Sequence, residues 1–320
     1  MFSLRNILPQ NRISLVPHLR LFDACVQPIL LYGAEIWSFD YLFKNNTQQE
    51  KQYINFLPEK VHTRYLKIIM GLNRSAVNIT VLSETGRFPL AMCAIKSTLN
   101  FWHHLTNSKE NTVAKIAYNH SFRNNIGLCN KLQSFLNSLH FNHVWENQNT
   151  PSIKGLTRAI TLQIKDRYIK FWRSCLTEGN SNFMSKLRCY NNIKQDYKLE
   201  SYLLTDVGKK VVSQYIKLRI SNSKLMIEEG RHKNISSKDR ICPLCKSEVE
   251  SEIHFITECP SLAPLRHKLY TSISDIVPDF NLMNNANKFH FIMSSNDYDI
   301  SKTCINGVAE MYEYRLEKNK

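Results

Sequence analysis

Four residues carry the strongest chemical signal in this 320-residue sequence: Cys242, Cys245, His254 and Cys259, spaced C-x2-C-x8-H-x4-C. Two cysteines two residues apart can place both thiolates on one ion from a tight turn. The histidine and third cysteine complete a tetrahedral donor set of soft sulfur and borderline nitrogen that suits zinc. With every position filled by protein, the ion is expected to be structural rather than catalytic. Ser247 and Glu250 have capping-box spacing, which predicts a short helix presenting His254 and stopped by Pro260. The other cysteines (Cys25, Cys93, Cys129, Cys175, Cys189 and Cys304) are scattered, as reduced thiols of a cytosolic or nuclear protein are. Two roles stay open for such a module, contact with nucleic acid or simple pinning of the fold.

Charge is the second signal. Lys and Arg number 42 against 27 Asp and Glu, a net charge of +15, which favours a polyanionic partner, RNA or DNA first. Between Gly208 and Arg240 nine cations face three acids, a net of +6 over 33 residues. Within it Lys209, Lys210, Lys217, Arg219, Arg231, Lys233 and Arg240 are the candidate phosphate contacts, with Tyr215 and His232 placed to stack on bases. A solvated face has the same composition.

Catalytic patterns are missing. There is no Gly-rich phosphate loop, no G-x-S-x-G and no H-E-x-x-H. Asp297-Tyr298-Asp299 is the nearest approach to a paired-carboxylate site and follows the polar loop Ser294-Ser295-Asn296, which argues against a metal site. His103-His104 borders an apolar stripe and lacks a partner carboxylate. No catalytic residue is assigned, and the chain reads as a binding protein. Pro28-Ile29-Leu30-Leu31-Tyr32 is far shorter than the roughly 20 apolar residues that span a bilayer. Arg5, Arg12 and Arg20 break up any signal peptide. The expectation is an intracellular protein, nuclear or cytoplasmic, without a membrane partner.

The elements that must hold these groups read as helices, so the fold class is mainly α. From Pro58, the residues Val61, Tyr65, Ile68, Ile69 and Leu72 share a face until Gly71, with Lys60, Arg64 and Lys67 on another. After Pro89, Ile95, Leu99 and Trp102 keep helical spacing. From about Leu156 to Leu176 the stripe Ile160, Ile164, Tyr168, Trp172 runs opposite Arg158, Lys165, Lys170 and Arg173. Ile79-Thr80-Val81-Leu82 is the one run that could be a short strand. Lys44 to Lys51, Asn142 to Ser152 (with Pro151) and Gly179 to Asn182 read as loops. The division expected is a helical region over 1–110, a helical connector over 111–235, the metal module over 236–270 and a helical tail over 271–320.

Several unlinked motifs occur in an order that resembles the C-terminal region of LINE-like, non-LTR retrotransposon reverse transcriptases. They are Pro28 through Trp37 (PILLYGAEIW), the helix Val61 to Leu72, Leu82 through Leu90 (LSETGRFPL), Tyr168 to Trp172, Lys217 through Ser221 (KLRIS), Ile227 through Arg231 (IEEGR), and Arg240 through Arg266 with its C-C-H-C set. The similarity spans about residues 20 to 270. It implies a thumb-like helical region, a helical connector and a zinc module that contacts template RNA or target DNA. The polymerase palm with its Tyr/Phe-x-Asp-Asp metal site would lie before residue 1, and the endonuclease is also missing. Two-metal nucleotidyl transfer needs those carboxylates, so polymerase activity is not carried over. The expectation is a nucleic-acid-binding accessory region without catalysis of its own. Two alternatives remain: a part of an RNA-directed DNA polymerase whose palm acts in trans, and a protein-interaction module whose zinc is purely structural.

Overall fold

The computed structural model describes residues 15–43, 49–148, 152–177 and 187–319. About 72% of the chain is helical, and the described residues contain no strand, only two isolated bridges. Arg5, Arg12, Pro151 and the break at Gly179 to Asn182 lie outside the described residues, as does most of the loop expected from Lys44.

Sequence periodicity locates three of the long helices, while Tyr298–Lys318 is expected only as part of a helical tail. Leu57–Ile69 carries Pro58 in its first turn and ends before Gly71 at φ +68, where Leu72 N donates to Lys67 O (2.8 Å). Ala91–Asn107 buries Ile95, Leu99 and Trp102, and Ile153–Thr177 buries Ile160, Ile164, Tyr168 and Trp172. Three expectations are corrected. Ile79 to Leu82 lie in the helix Asn78–Glu84, where Ile79 through Glu84 are all buried, so tertiary burial overrides the β-branched propensity. The stretch Asn142 to Ser152 is not all loop, because Asn142–Asn147 is a helix that buries Trp145. Lys51 belongs to the helix Gln49–Asn55 rather than to a loop.

Two compact units divide the chain, each assembled from separated segments. One comprises Phe22–Thr63 and Phe88–Ser174. There the buried Glu59 accepts from the Leu90 amide (2.6 Å), just ahead of Ala91–Asn107, and meets His62 Nδ1 at 2.8 Å. A carboxylate at a helix N-terminus satisfies an orphan amide and suits the helix dipole. Aromatic rings fill this core: Trp102 stacks on Trp145 at 6.0 Å and donates to the Tyr118 hydroxyl (2.9 Å), and Phe43 meets Phe135 edge-on at 4.5 Å.

The other unit comprises Met1–Leu21, Arg64–Arg87 and Cys175–Lys320. Its longest helix, Tyr298–Lys318, packs so closely on Ala263–Ser274 that a Cβ at Gly307 would lie 2.6 Å from Leu269 Cδ1. At its centre is a buried charge network. Glu84 accepts from Arg219 Nε (3.0 Å) and from the Tyr190 (2.7 Å) and Tyr202 hydroxyls; Arg219 Nη2 continues to Glu200 (2.7 Å), which also holds Lys194. Every one of these side chains is buried. Such groups are tolerated inside only when fully paired. Gly86, at φ +62, closes the turn after Glu84, where a Cβ would lie 2.4 Å from the Leu199 amide nitrogen.

Candidate metal centre

The turn that carries the first two cysteines is built by backbone hydrogen bonds. Cys242 N donates to Glu248 O (2.7 Å), Lys246 N to Cys242 O (2.9 Å) and Glu250 N to Arg240 O (2.9 Å), with an antiparallel bridge between Ile241 and Val249. Lys246 takes the left-handed conformation (φ +57) that lets the chain reverse after Cys245. His254 comes from a helical turn that is wide rather than α-helical, His254–Glu258. The cap is also different from the one expected: Ser251 Oγ, not Ser247, accepts from the His254 amide (3.0 Å). Ser247 Oγ points instead to Cys245 Sγ at 3.1 Å. After Cys259, Pro260 opens the next short turn, Pro260–Leu262.

These elements bring all four predicted ligands together. Cys242 Sγ lies 3.9 Å from Cys259 Sγ, Cys245 Sγ lies 3.4 Å from His254 Nε2, and all four donor atoms fall within 4.8 Å of one another. A tetrahedral ion bound to sulfur at about 2.3 Å requires sulfur–sulfur separations of about 3.8 Å. The cluster can therefore hold one metal ion. Cys242, His254 and Cys259 are buried and Cys245 is half-buried. The other ring nitrogen, His254 Nδ1, is buried without a hydrogen-bond partner among the described residues, and Glu248 Oε2 lies 3.4 Å from it.

Thiol acidity differs across the cluster. Burial raises all three cysteines, and at Cys242 it dominates, with Glu250 and Cys259 adding to it, so that thiol is pushed up to about 12. Cys259 is also raised, by burial. At Cys245 burial is outweighed by the Ser247 hydroxyl and the Ser247 and Glu248 amides, which bring the thiol down to about 6. Cys245 is thus the most acidic of the three thiols, and a bound cation would favour the thiolate form of all three.

The module is anchored by contacts that the sequence did not flag, and Glu250, expected in a capping box, serves them instead. Glu250 accepts two bonds from Arg315 (2.5 and 2.7 Å) and one from the Met226 amide (2.6 Å). Glu252 accepts from Arg188 Nε (3.0 Å) and the Ser221 hydroxyl (3.0 Å), and Arg188 Nη1 reaches Glu228 at 2.8 Å. Arg266 donates to Cys259 O (2.9 Å). Glu250 and Glu252 stand between the second cysteine and the histidine, but nothing in their spacing names partners 65 and 64 residues away.

The candidate phosphate contacts fare unevenly. Arg219 is corrected: at 1% exposed and spent on Glu84 and Glu200, it cannot reach a phosphate. Tyr215 is also corrected, since it is 1% exposed and donates to Ile292 O (2.8 Å), out of reach of a base. Arg240 donates to the Ile235 and Ile227 carbonyls (3.0 and 2.8 Å), and Arg231 to Glu228 (2.9 Å). Lys210 pairs with Glu313 (2.8 Å) and Lys233 lies 4.0 Å from Glu229, both at the surface. Lys217 is half-buried, and burial with the neighbouring Lys224 lowers its ammonium. Lys209 and His232 are exposed. Asp297 is no metal ligand pair with Asp299; it caps Tyr298–Lys318 by accepting from Ile300 N (3.0 Å).

Fold and site together define a mainly helical protein with an embedded Cys3His cluster that could hold a metal ion. Set against family models, curated proteins and solved structures, the chain matches none of them. No helix among the described residues is long and apolar enough to cross a membrane.

Proposed function

We propose that the chain is a zinc-bound, nucleic-acid-binding accessory region of the non-LTR retrotransposon reverse-transcriptase kind, without polymerase chemistry of its own. Zinc is favoured over other cations because three thiolates and one imidazole in a closed tetrahedron match its ligand preference and leave no place for water. A hard oxygen-seeking cation would find no oxygen donor among the four.

The observation that carries the reading is how the motif residues lie relative to one another. Glu84 of the LSETGRFPL run is the ion partner of Arg219 in the KLRIS run. Arg188 joins Glu228 of the IEEGR run to Glu252 of the zinc module. Gly230 of IEEGR lies flat against Arg240, where a Cβ would come within 2.6 Å of its Cγ. Segments far apart in sequence are thus mutual partners in one packed unit, which supports treating them as one inherited assembly. The net charge of +15 supplies the affinity for RNA or DNA.

A second reading has an observation of its own. The module's buried ties to Arg315 and Arg188 suit an ion that pins the fold, with nucleic acid met elsewhere on the surface. Titration of a labelled RNA strand and a labelled DNA duplex with the whole zinc-loaded chain, at several salt concentrations, tests the proposal. The expected result is an affinity that falls linearly in log–log form with salt. Absence of binding to both probes, or binding that ignores salt, contradicts it.

A further inference from the structure

We propose that the exposed side of the helix Ile153–Thr177 is the surface along which a nucleic-acid backbone lies, an assignment that rests on the nucleic-acid reading above. This helix is amphipathic in an unusual sense. One side is the buried stripe at four-residue spacing, from Ile160 to Trp172, and the other is cationic. Lys154, Arg158, Lys170 and Arg173 are exposed and Lys165 is half-buried, its ammonium 4.8 Å from the Phe88 ring centroid.

The distribution of charge singles this helix out. Its 25 residues hold six cations and one acid, Asp166, a net of +5. The whole unit formed by Phe22–Thr63 and Phe88–Ser174 has 14 cations and eight acids, a net of +6. Nearly all of that unit's excess therefore sits on one element. None of Lys154, Arg158 and Lys170 forms an ion pair with a described residue. The contrast is with the Gly208–Arg240 stretch, where Arg219, Arg231 and Arg240 are spent inside the fold and Lys210 is paired.

Length fits a polyanion. Lys154 and Arg173 are 19 positions apart, about 28 Å along an α-helix. Duplex DNA presents a phosphate charge about every 1.7 Å of axis, so the whole stripe finds partners at once. A compact anion would use one or two of the cations. A membrane surface asks for a continuous apolar face beside the cations. Here only Leu162, at 53% exposed, and Ile169 interrupt them, and Asp166 stands among them.

The test compares three full-length zinc-loaded chains: the parent, Lys154→Gln/Arg158→Gln/Lys170→Gln, and the control Lys51→Gln/Lys96→Gln/Lys109→Gln, three exposed lysines elsewhere on the same unit. Equal zinc content and equal helical circular dichroism establish that all three are folded. Probes are a labelled DNA duplex, an RNA strand, and vesicles of mixed neutral and anionic phospholipid. The helix variant is expected to flatten the log K against log salt slope by about 2 to 3 on duplex, because each phosphate no longer neutralised removes about 0.9. The control is expected to change it by less than about 1. A parent that binds neither oligonucleotide removes the functional reading and this surface with it. A parent that binds while the helix variant keeps its slope, or while both variants lose it equally, overturns the surface and leaves the functional reading standing. Vesicle binding as tight as oligonucleotide binding, lost in the helix variant, overturns the assignment to nucleic acid.

Discussion

Arg315 holds Glu250 through two nitrogens, Nε on Oε1 at 2.5 Å and Nη2 on Oε2 at 2.7 Å, with both side chains buried. The same carboxylate lies 4.0 Å from Cys242 Sγ. One ion pair therefore joins the metal module to the C-terminal helix Tyr298–Lys318 and brings a negative charge close to a ligand.

Breaking that pair from one side leaves a buried charge without a partner, which typically costs about 3–5 kcal/mol. Arg315→Met is expected to lose stability in that range by chemical denaturation of the zinc-loaded chain. Adding Glu250→Gln keeps an acceptor for the Met226 amide and removes the orphan charge, so the double variant should recover more than half of the loss. Strictly additive losses would show that the two residues do not act as a pair.

Glu84 makes stability depend on acid. Burial alone would raise its carboxyl, but Arg219, then Lys194 and the Tyr202 and Tyr190 hydroxyls, bring it below the ordinary value. A carboxylate depressed in the folded state stabilises fully above its unfolded pKa, about 4.3, and loses that contribution as pH falls through the lower folded value. The parent should therefore lose stability steeply below about pH 4. Glu84→Gln should be weaker at neutral pH and fall less steeply in acid. Parallel acid limbs for the two proteins would contradict this.

These two networks also show what the sequence makes legible. Four-residue spacing from Ile160 to Trp172 identifies a buried helix face because burial follows the helical period. Ligand spacing identifies the metal site because two of its ligands share one turn. Nothing local separates Arg219 from Lys209, however: both are cations in one basic helix, and it is the buried carboxylates of Glu84 and Glu200, 135 and 19 residues upstream, that draw the first inside. The helix over Asn78–Glu84 escapes the sequence for the same reason, since its β-branched residues obey the surrounding core. Cation runs thus overstate the available phosphate surface wherever distant acids are buried with them.

Glu248 supports the site from outside. It is 66% exposed and lies 3.4 Å from His254 Nδ1 without forming a hydrogen bond, so its contribution is electrostatic and screened by solvent. Outer partners hydrogen-bonded to a ligating imidazole are worth roughly 10–100-fold in metal affinity, and the exposed, unbonded position places Glu248 at the lower figure, about 10-fold. Competition with a chromophoric chelator is the measurement. Glu248→Ala should weaken zinc by about that factor while still reaching one equivalent at saturation. An unchanged affinity would mean that Glu248 does not orient the imidazole.

Zinc content itself is the most direct test. The segment around the ligands is short, and isolated zinc peptides draw about 10–16 kcal/mol from the metal at neutral pH. Mass-spectrometric metal analysis of the refolded parent is expected to give one zinc per chain. Cys259→Ser should lose most of it and loosen residues 240–262, while Cys129→Ser, buried in the other unit, keeps a full equivalent. A parent that holds no zinc after refolding with excess metal, or a Cys259→Ser chain that keeps a full equivalent, contradicts the four-ligand assignment.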